Sequence, residues 1–185
     1  LKKGGFEKRN LTRKLISLYE KLGDKENYKA ELTRLVITFQ YSDIEYVKRL
    51  KAITDPDEWS SDIFFRILDN TQYIWQRLPL YELEGMYDSI LTEINEKGNL
   101  SDFMKYEKAL AEKYPEKSRE LFVKLLDRSM EEANSRETYK GVITRLKRLD
   151  AYPGGKDAAR ELAGKWRGRY PSRRAMIDEL NKAKY

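Results

Sequence analysis

The spacing of apolar residues is the feature that most limits the folds open to this chain. Apolar residues recur at intervals of three and four along almost all of it, as in Leu11, Leu15, Leu18 and Leu22. Alternation over the length of a strand is hard to find. Intervals of three and four keep side chains on one side of an α-helix, so the pattern predicts an all-α protein.

Local signals divide this pattern into about eleven helices. The first helix is predicted to begin near Asn10 and to end at Gly23, which suits a left-handed cap. Asp55, Pro56 and Glu58 have the spacing of a helix start, in which the Asp side chain caps the first turn. Further starts or breaks are predicted at Pro79, Ser101, Tyr114-Pro115, Asn134 and Tyr152-Pro153-Gly154-Gly155.

Short amphipathic helices cannot each bury an apolar stripe alone, so they are expected to pair, and the pairs to stack. Predicted starts lie about 30 residues apart, close to the ~34 of the tetratricopeptide repeat, although most of that consensus is missing. The sequence therefore predicts an irregular, tetratricopeptide-like α-solenoid of antiparallel helices over residues 10–185. Residues 1–9 are predicted to be a linker or frayed end, and the first residue, Leu1, suggests a fragment of something longer.

The chain contains neither cysteine nor histidine. Disulfides, thiolate or histidine catalysis, and zinc or copper sites of the ordinary type are therefore excluded within these 185 residues. Carboxylate pairs such as Asp55 with Asp57, or Glu131 with Glu132, are better explained by helix capping and by an exposed helix surface. We therefore expect no enzymatic activity and no cofactor or metal. The longest apolar runs are far too short to span a membrane, which predicts a cytoplasmic protein that does not enter the membrane.

Positive charge is concentrated at the end of the chain. From Lys140 onward there are 13 basic and 5 acidic residues, whereas the whole chain has a net charge of +6. A basic stretch that contains aromatic residues has the composition of a nucleic-acid surface. The candidate contacts to nucleic acid or to another partner are Arg145, Arg148, Arg167, Arg169, Arg173 and Arg174.

Two interpretations of this basic stretch remain open. Trp166 and Tyr170 could stack on bases between the arginines, which would make this a nucleic-acid-binding accessory domain. Alternatively, because the two aromatic residues are four apart, they could be core residues on one helix face while the cations are solvated. The chain also has 13 tyrosines, and Tyr and Arg are frequent anchors of protein interfaces. A protein-binding scaffold is the favoured function, and the oligomeric state is not predicted.

The last 47 residues carry a further pattern. A helical segment from Tyr139 to Asp150 is followed by Gly154-Gly155, by a helix with Leu162 and Trp166, and by the stretch Arg169-Tyr170-Pro171-Ser172-Arg173 before Asp178-Glu179-Leu180. This resembles the C-terminal end of bacterial SWIM-type zinc finger proteins. The resemblance implies a helical C-terminal region, whereas that family's zinc motif of Cys and His residues has no counterpart here. No zinc-binding residue is therefore carried over.

Overall fold

A computed structural model describes residues 3–41 and 43–185. The described part is all-helical and contains no strand, which confirms the prediction of an all-α protein. Its helices are α1 (Lys3–Leu22), α2 (Lys25–Thr33), α3 (Ile44–Ile53), α4 (Pro56–Glu58), α5 (Phe64–Asp69), α6 (Ile74–Leu83), α7 (Tyr87–Lys97), α8 (Leu100–Lys113), α9 (Pro115–Glu132), α10 (Arg136–Leu146), α11 (Gly155–Arg169) and α12 (Arg174–Lys182). A π-helical turn, Trp59–Ile63, joins α4 to α5, so the described residues form eleven helices.

The beginning of the first helix differs from the prediction. Helix α1 begins at Lys3 rather than near Asn10, so residues 3–9 extend the helix, while Leu1 and Lys2 lie outside the described residues. Asn10 therefore lies within the helix and is not its cap. Helix α1 ends as expected, because Gly23 adopts a left-handed conformation with φ of 69°. Pro79, which was expected to begin or interrupt a helix, lies inside α6.

Two caps also lie at residues other than those predicted. Asn99, not Ser101, caps α8, because its side chain accepts hydrogen bonds from the backbone of Ser101 and Asp102. Ser135, not Asn134, caps α10, where its side chain pairs with Thr138. In both helices the residue three positions after the cap bonds back to the cap's N–H group, which fixes the beginning of the helix. The predicted cap at Asp55 is confirmed.

The helices divide into two compact units, Leu1–Met86 and Tyr87–Tyr185. In the first unit, α1 packs on α2 and α2 packs on α3, while a second π-helical turn, Arg34–Thr38, follows α2 and packs on α5. The fully buried side chains of this unit include Leu32, Leu35, Leu50, Ile67 and Leu78. These residues come from α2, the π-helical turn Arg34–Thr38, α3, α5 and α6, so the apolar sides of these elements form the core.

The second unit is built on α9, which packs against α7, α8, α10 and α11. Phe103 of α8 and Phe122 of α9 stack with ring centroids 5.0 Å apart, and both are fully buried. Trp166 of α11 and Met176 of α12 are also fully buried. Gly154 takes a left-handed φ of 66° at the beginning of α11, as expected for the predicted break.

One predicted core stripe is not buried. Leu11, Leu18 and Leu22 of α1 are exposed, and α1 buries Thr12 and Ile16 instead. The reason is that α1 packs mainly on α2 and on the π-helical turn Arg34–Thr38, which lie against the side of α1 that carries Thr12 and Ile16. No helix in the described part combines the length and the apolar character that are needed to cross a membrane.

Candidate interaction surface

Arg148 is a predicted site residue whose side chain forms an ion pair inside the second unit. Its guanidinium forms an ion pair with Glu107 of α8, with Nη2 2.6 Å from Oε2. The Glu107 carboxylate is buried, and Tyr152 also donates a hydrogen bond to it. Burial, together with the adjacent carboxylate, raises the pKa of Tyr152 above its ordinary value. Arg148 therefore neutralises a buried acid within the second unit.

Arg173 also has an internal role. Its Nη1 donates to the Met130 carbonyl oxygen at 2.8 Å and its Nη2 to that of Glu131 at 3.2 Å. Its guanidinium carbon lies 3.8 Å from the centroid of the Tyr170 ring, the distance of a close cation–π contact. Arg173 thus satisfies carbonyl groups at the end of α9, where a helix leaves its last carbonyls without partners.

Arg167 and Arg169 extend from α11 to neighbouring elements. Arg167 donates to the Asn181 side chain at 2.7 Å and to the Tyr185 carbonyl oxygen. Arg169 lies 3.6 Å from Asp127 of α9. The neighbouring Tyr170 side chain, followed by the Asp127 charge, raises the pKa of Arg169. Four of the six predicted site residues therefore engage acceptors on other elements of the second unit.

The remaining two predicted site residues are exposed to solvent. Arg145 is exposed and donates to the Gly141 carbonyl oxygen of its own helix at 3.0 Å. Arg174 is exposed at the beginning of α12, and its side chain forms no hydrogen bond or ion pair with the described residues. The six arginines are thus not brought together as one free basic surface.

Trp166 belongs to the core rather than to a binding surface. It is fully buried, and its Nε1 donates to Asp127 Oδ1 at 2.9 Å. Lys165 also donates to Asp127, at 2.6 Å. Burial alone would raise the pKa of Asp127, but the hydrogen bonds from Lys165 and Trp166 outweigh it and lower that pKa. Trp166 could not stack on a base unless the helix moved, which agrees with the core interpretation for Trp166, whereas Tyr170 is only half-buried.

A different group of polar and aromatic side chains comes together in the first unit. Its six residues, which we call the Tyr–Arg cluster, come from α1, α2, α3 and the segment that leads into α3. They are Arg13, Glu20, Tyr28, Tyr41, Tyr46 and Arg49. Arg13 is exposed, and Tyr28, Tyr41, Tyr46 and Arg49 are half-buried.

The contacts of the Tyr–Arg cluster run from helix to helix. Arg13 Nε donates to the Tyr46 hydroxyl at 3.0 Å, and its guanidinium lies 5.8 Å from the Tyr46 ring centroid. Tyr41 meets the Tyr46 ring edge-on, with centroids 5.7 Å apart. The guanidinium of Arg49 lies 5.5 Å from the same ring centroid. Two arginines therefore lie close to the ring of Tyr46.

Arg49 joins the three helices. Its Nε donates to the Tyr28 hydroxyl of α2 at 2.9 Å, and its Nη2 contacts Glu20 of α1 at 2.7 Å. Desolvation opposes the charge of Arg49, but its hydrogen bonds to Tyr28 and Glu20 prevail and raise its pKa. The pKa of Arg13 is raised as well, mainly by its hydrogen bond with Tyr46. Both guanidinium groups stay charged and fixed in place.

Little in the sequence indicates this group. The abundance of Tyr points to interfaces in general, but nothing in the sequence singles out Arg13, Tyr41 or Arg49. The one available signal was their spacing: Arg13 and Glu20 are seven apart in α1, so they lie on one side of it. Among the described residues, no group of three or more acids is placed to hold a metal ion.

Comparison with protein families, with curated proteins and with solved structures found no match for this chain. The resemblance to the C-terminal region of SWIM-type zinc finger proteins therefore stays a prediction. So does the division into a terminal linker and a single array over residues 10–185.

Proposed function

We propose that this chain is a non-catalytic helical scaffold that binds another protein, and that the Tyr–Arg cluster is a contact surface for that partner. The observation that carries the proposal is the arrangement of Arg13, Tyr46 and Arg49, in which two charged guanidinium groups lie 5.8 and 5.5 Å from the centroid of one aromatic ring at the surface of three packed helices. Tyr and Arg dominate the energetics of protein interfaces.

The cluster is suited to binding because its side chains are already ordered. Arg49 and Arg13 are each held by a hydrogen bond to a tyrosine hydroxyl, so a partner would not need to order them. Ordering a long side chain on binding costs about 0.5–1.5 kcal/mol, and a fixed cluster avoids part of this cost. The exposed guanidinium edge of Arg13 suits a carboxylate or a backbone carbonyl of the partner.

The finer features of the proposal rest on the sequence. We propose that the helices form an irregular, tetratricopeptide-like solenoid, that the chain is the C-terminal part of a bacterial SWIM-type zinc finger protein, and that it is cytoplasmic. Packing of consecutive helices, such as α1 on α2 and α2 on α3, supports the first of these. The residues quoted above for the resemblance support the second.

Nucleic-acid binding through the basic C-terminal helices is the weaker alternative. Arg148, Arg167 and Arg173 are engaged by acceptors inside the second unit, and binding a phosphate would compete with those contacts. Arg145 and Arg174 remain as exposed candidates. Two dispersed arginines would give only modest affinity and a shallow dependence on salt.

The experiment replaces residues of the cluster and measures which proteins the chain retains. Arg13→Ala and Tyr46→Ala, separately and together, should lose a partner that the unaltered chain captures, with about 30-fold weaker binding for the double variant. Quantitative mass spectrometry of captured proteins identifies the partner, and titration with that purified partner gives the affinity.

Arg160→Ala is the matched control, because Arg160 is exposed and makes only a loose pair with Asp157 at 3.7 Å. It should retain the partner. Circular dichroism must show equal helix content in all variants. If no captured protein distinguishes the cluster variants from the Arg160 variant, the cluster is not the contact surface.

A further inference from the structure

Helix α1 carries a row of exposed leucines that the rest of the first unit does not cover. Leu11, Leu18 and Leu22 expose 59%, 48% and 67% of their surface, and Leu15 between them is half-buried. At about 100° per residue the four leucines fall within an arc of roughly 60° on the helix. They form one continuous apolar stripe about three turns long.

The spacing of these leucines is that of a coiled-coil seam. The steps from Leu11 to Leu15, Leu18 and Leu22 alternate four, three and four residues, which is the a/d pattern of a heptad repeat. Such a seam takes the side chains of a second helix into the spaces between its own. A flat or extended partner would fit the stripe less well, so the geometry points to a helical occupant.

The charge of α1 indicates what kind of partner helix fits the leucine stripe. Helix α1 has six basic and two acidic residues, a net charge of +4. Lys14 and Lys21 are exposed, are seven residues apart and border the leucine stripe on one side. Neither has an ion-pair partner among the described residues. A second copy of this chain would bring the same positive charge against α1, whereas acidic residues at heptad spacing would pair with both lysines.

We propose that α1 docks an amphipathic helix of another protein, one whose leucine-rich seam is bordered by acidic residues. This surface is distinct from the Tyr–Arg cluster, because Arg13 and Glu20 lie about 180° around α1 from the leucines. The inference therefore does not depend on the proposed function of that cluster, and either surface can fail its test without the other.

The test uses two synthetic helices of three heptads, each with Leu at both seam positions. One has Glu and the other Lys at the positions that border the seam. Fluorescence anisotropy with the full chain should show binding of the Glu peptide in the micromolar range, and at least tenfold weaker binding of the Lys peptide. Leu11→Ser with Leu18→Ser should weaken binding of the Glu peptide at least tenfold.

Lys14→Glu with Lys21→Glu should reverse the preference between the two peptides. Trp75→Ser is the matched control, since Trp75 is an equally exposed apolar residue of the same unit and lies on α6. It should leave binding unchanged. Equal binding of both peptides, or binding that survives the leucine variants, would overturn the proposal. A dimer in light scattering that Leu18→Ser abolishes would also overturn it, by showing that a second copy fills the seam.

Discussion

At the residue scale, Asp127 is the acid of α9 that contacts three side chains of α11. It accepts hydrogen bonds from Lys165 and Trp166 and lies beside Arg169. Asp127→Asn keeps an oxygen for Trp166 but removes the negative charge that both cations face. We expect it to lower the free energy of unfolding at neutral pH by about 1–2 kcal/mol, as urea denaturation would measure.

The same substitution should change the response to acid. The folded chain lowers the pKa of Asp127 below its ordinary 3.8, so the folded state holds the carboxylate form more strongly than the unfolded state does. This stabilisation is present above pH 3.8 and is lost as the pH falls through the lower, folded pKa. The difference between Asp127→Asn and the unaltered chain should therefore shrink in acid. Asp157→Asn, at an exposed pair, should differ by less than about 0.5 kcal/mol at any pH.

Composition did not reveal how individual arginines are used. The basic stretch after Lys140 was visible in the sequence, but the internal acceptors of Arg148 and Arg173 are a buried carboxylate about 40 residues earlier in the chain and the carbonyls that end α9. Tertiary packing determines such partners, and a count of charged residues carries no information about it. Trp166 was easier to place, because its four-residue spacing from Tyr170 and its apolar ring already favoured the core.

At the element scale, Gly155 controls how α11 begins. A Cβ atom at this position would overlap the Leu149 carbonyl oxygen of the preceding 3₁₀ turn, Lys147–Ala151. Gly155→Ala should therefore separate α11 from that turn and destabilise the chain by at least about 2 kcal/mol. Thermal unfolding followed by circular dichroism would measure this loss.

Gly164 provides the comparison within the same helix, because a Cβ atom there meets nothing within 4 Å. Gly164→Ala should stabilise the chain by about 0.5–1 kcal/mol, since alanine loses less backbone entropy in a helix than glycine does. Destabilisation of similar size by both substitutions would show that close approach at Gly155 is not the cause.

The positions of the helices were largely predictable from the sequence. The side of each helix that is buried was not always predictable. The helical period, Asp55-Pro56 and the glycines at 23 and 154 identified helices and breaks because those signals act locally. The caps at Asn99 and Ser135 were missed by one or two residues, because neighbouring polar residues offer competing caps. The leucines of α1 were expected in the core, but periodicity states only which residues share a side of a helix, and packing decides which side is covered.

At the scale of the whole molecule, the sequence predicted one array over residues 10–185, and the structure has two compact units that meet in sequence at Met86 and Tyr87. The second unit has its own core, in which Phe103, Phe122 and Trp166 are fully buried. We therefore expect the fragment Tyr87–Tyr185 to fold alone, with helical circular dichroism and a cooperative thermal transition. In a single array each repeat is stabilised by its neighbours, so division would instead remove much of the stability of the fragment. A fragment that melts without cooperativity, while the full chain melts in one sharp transition, would contradict independent folding and favour the single array.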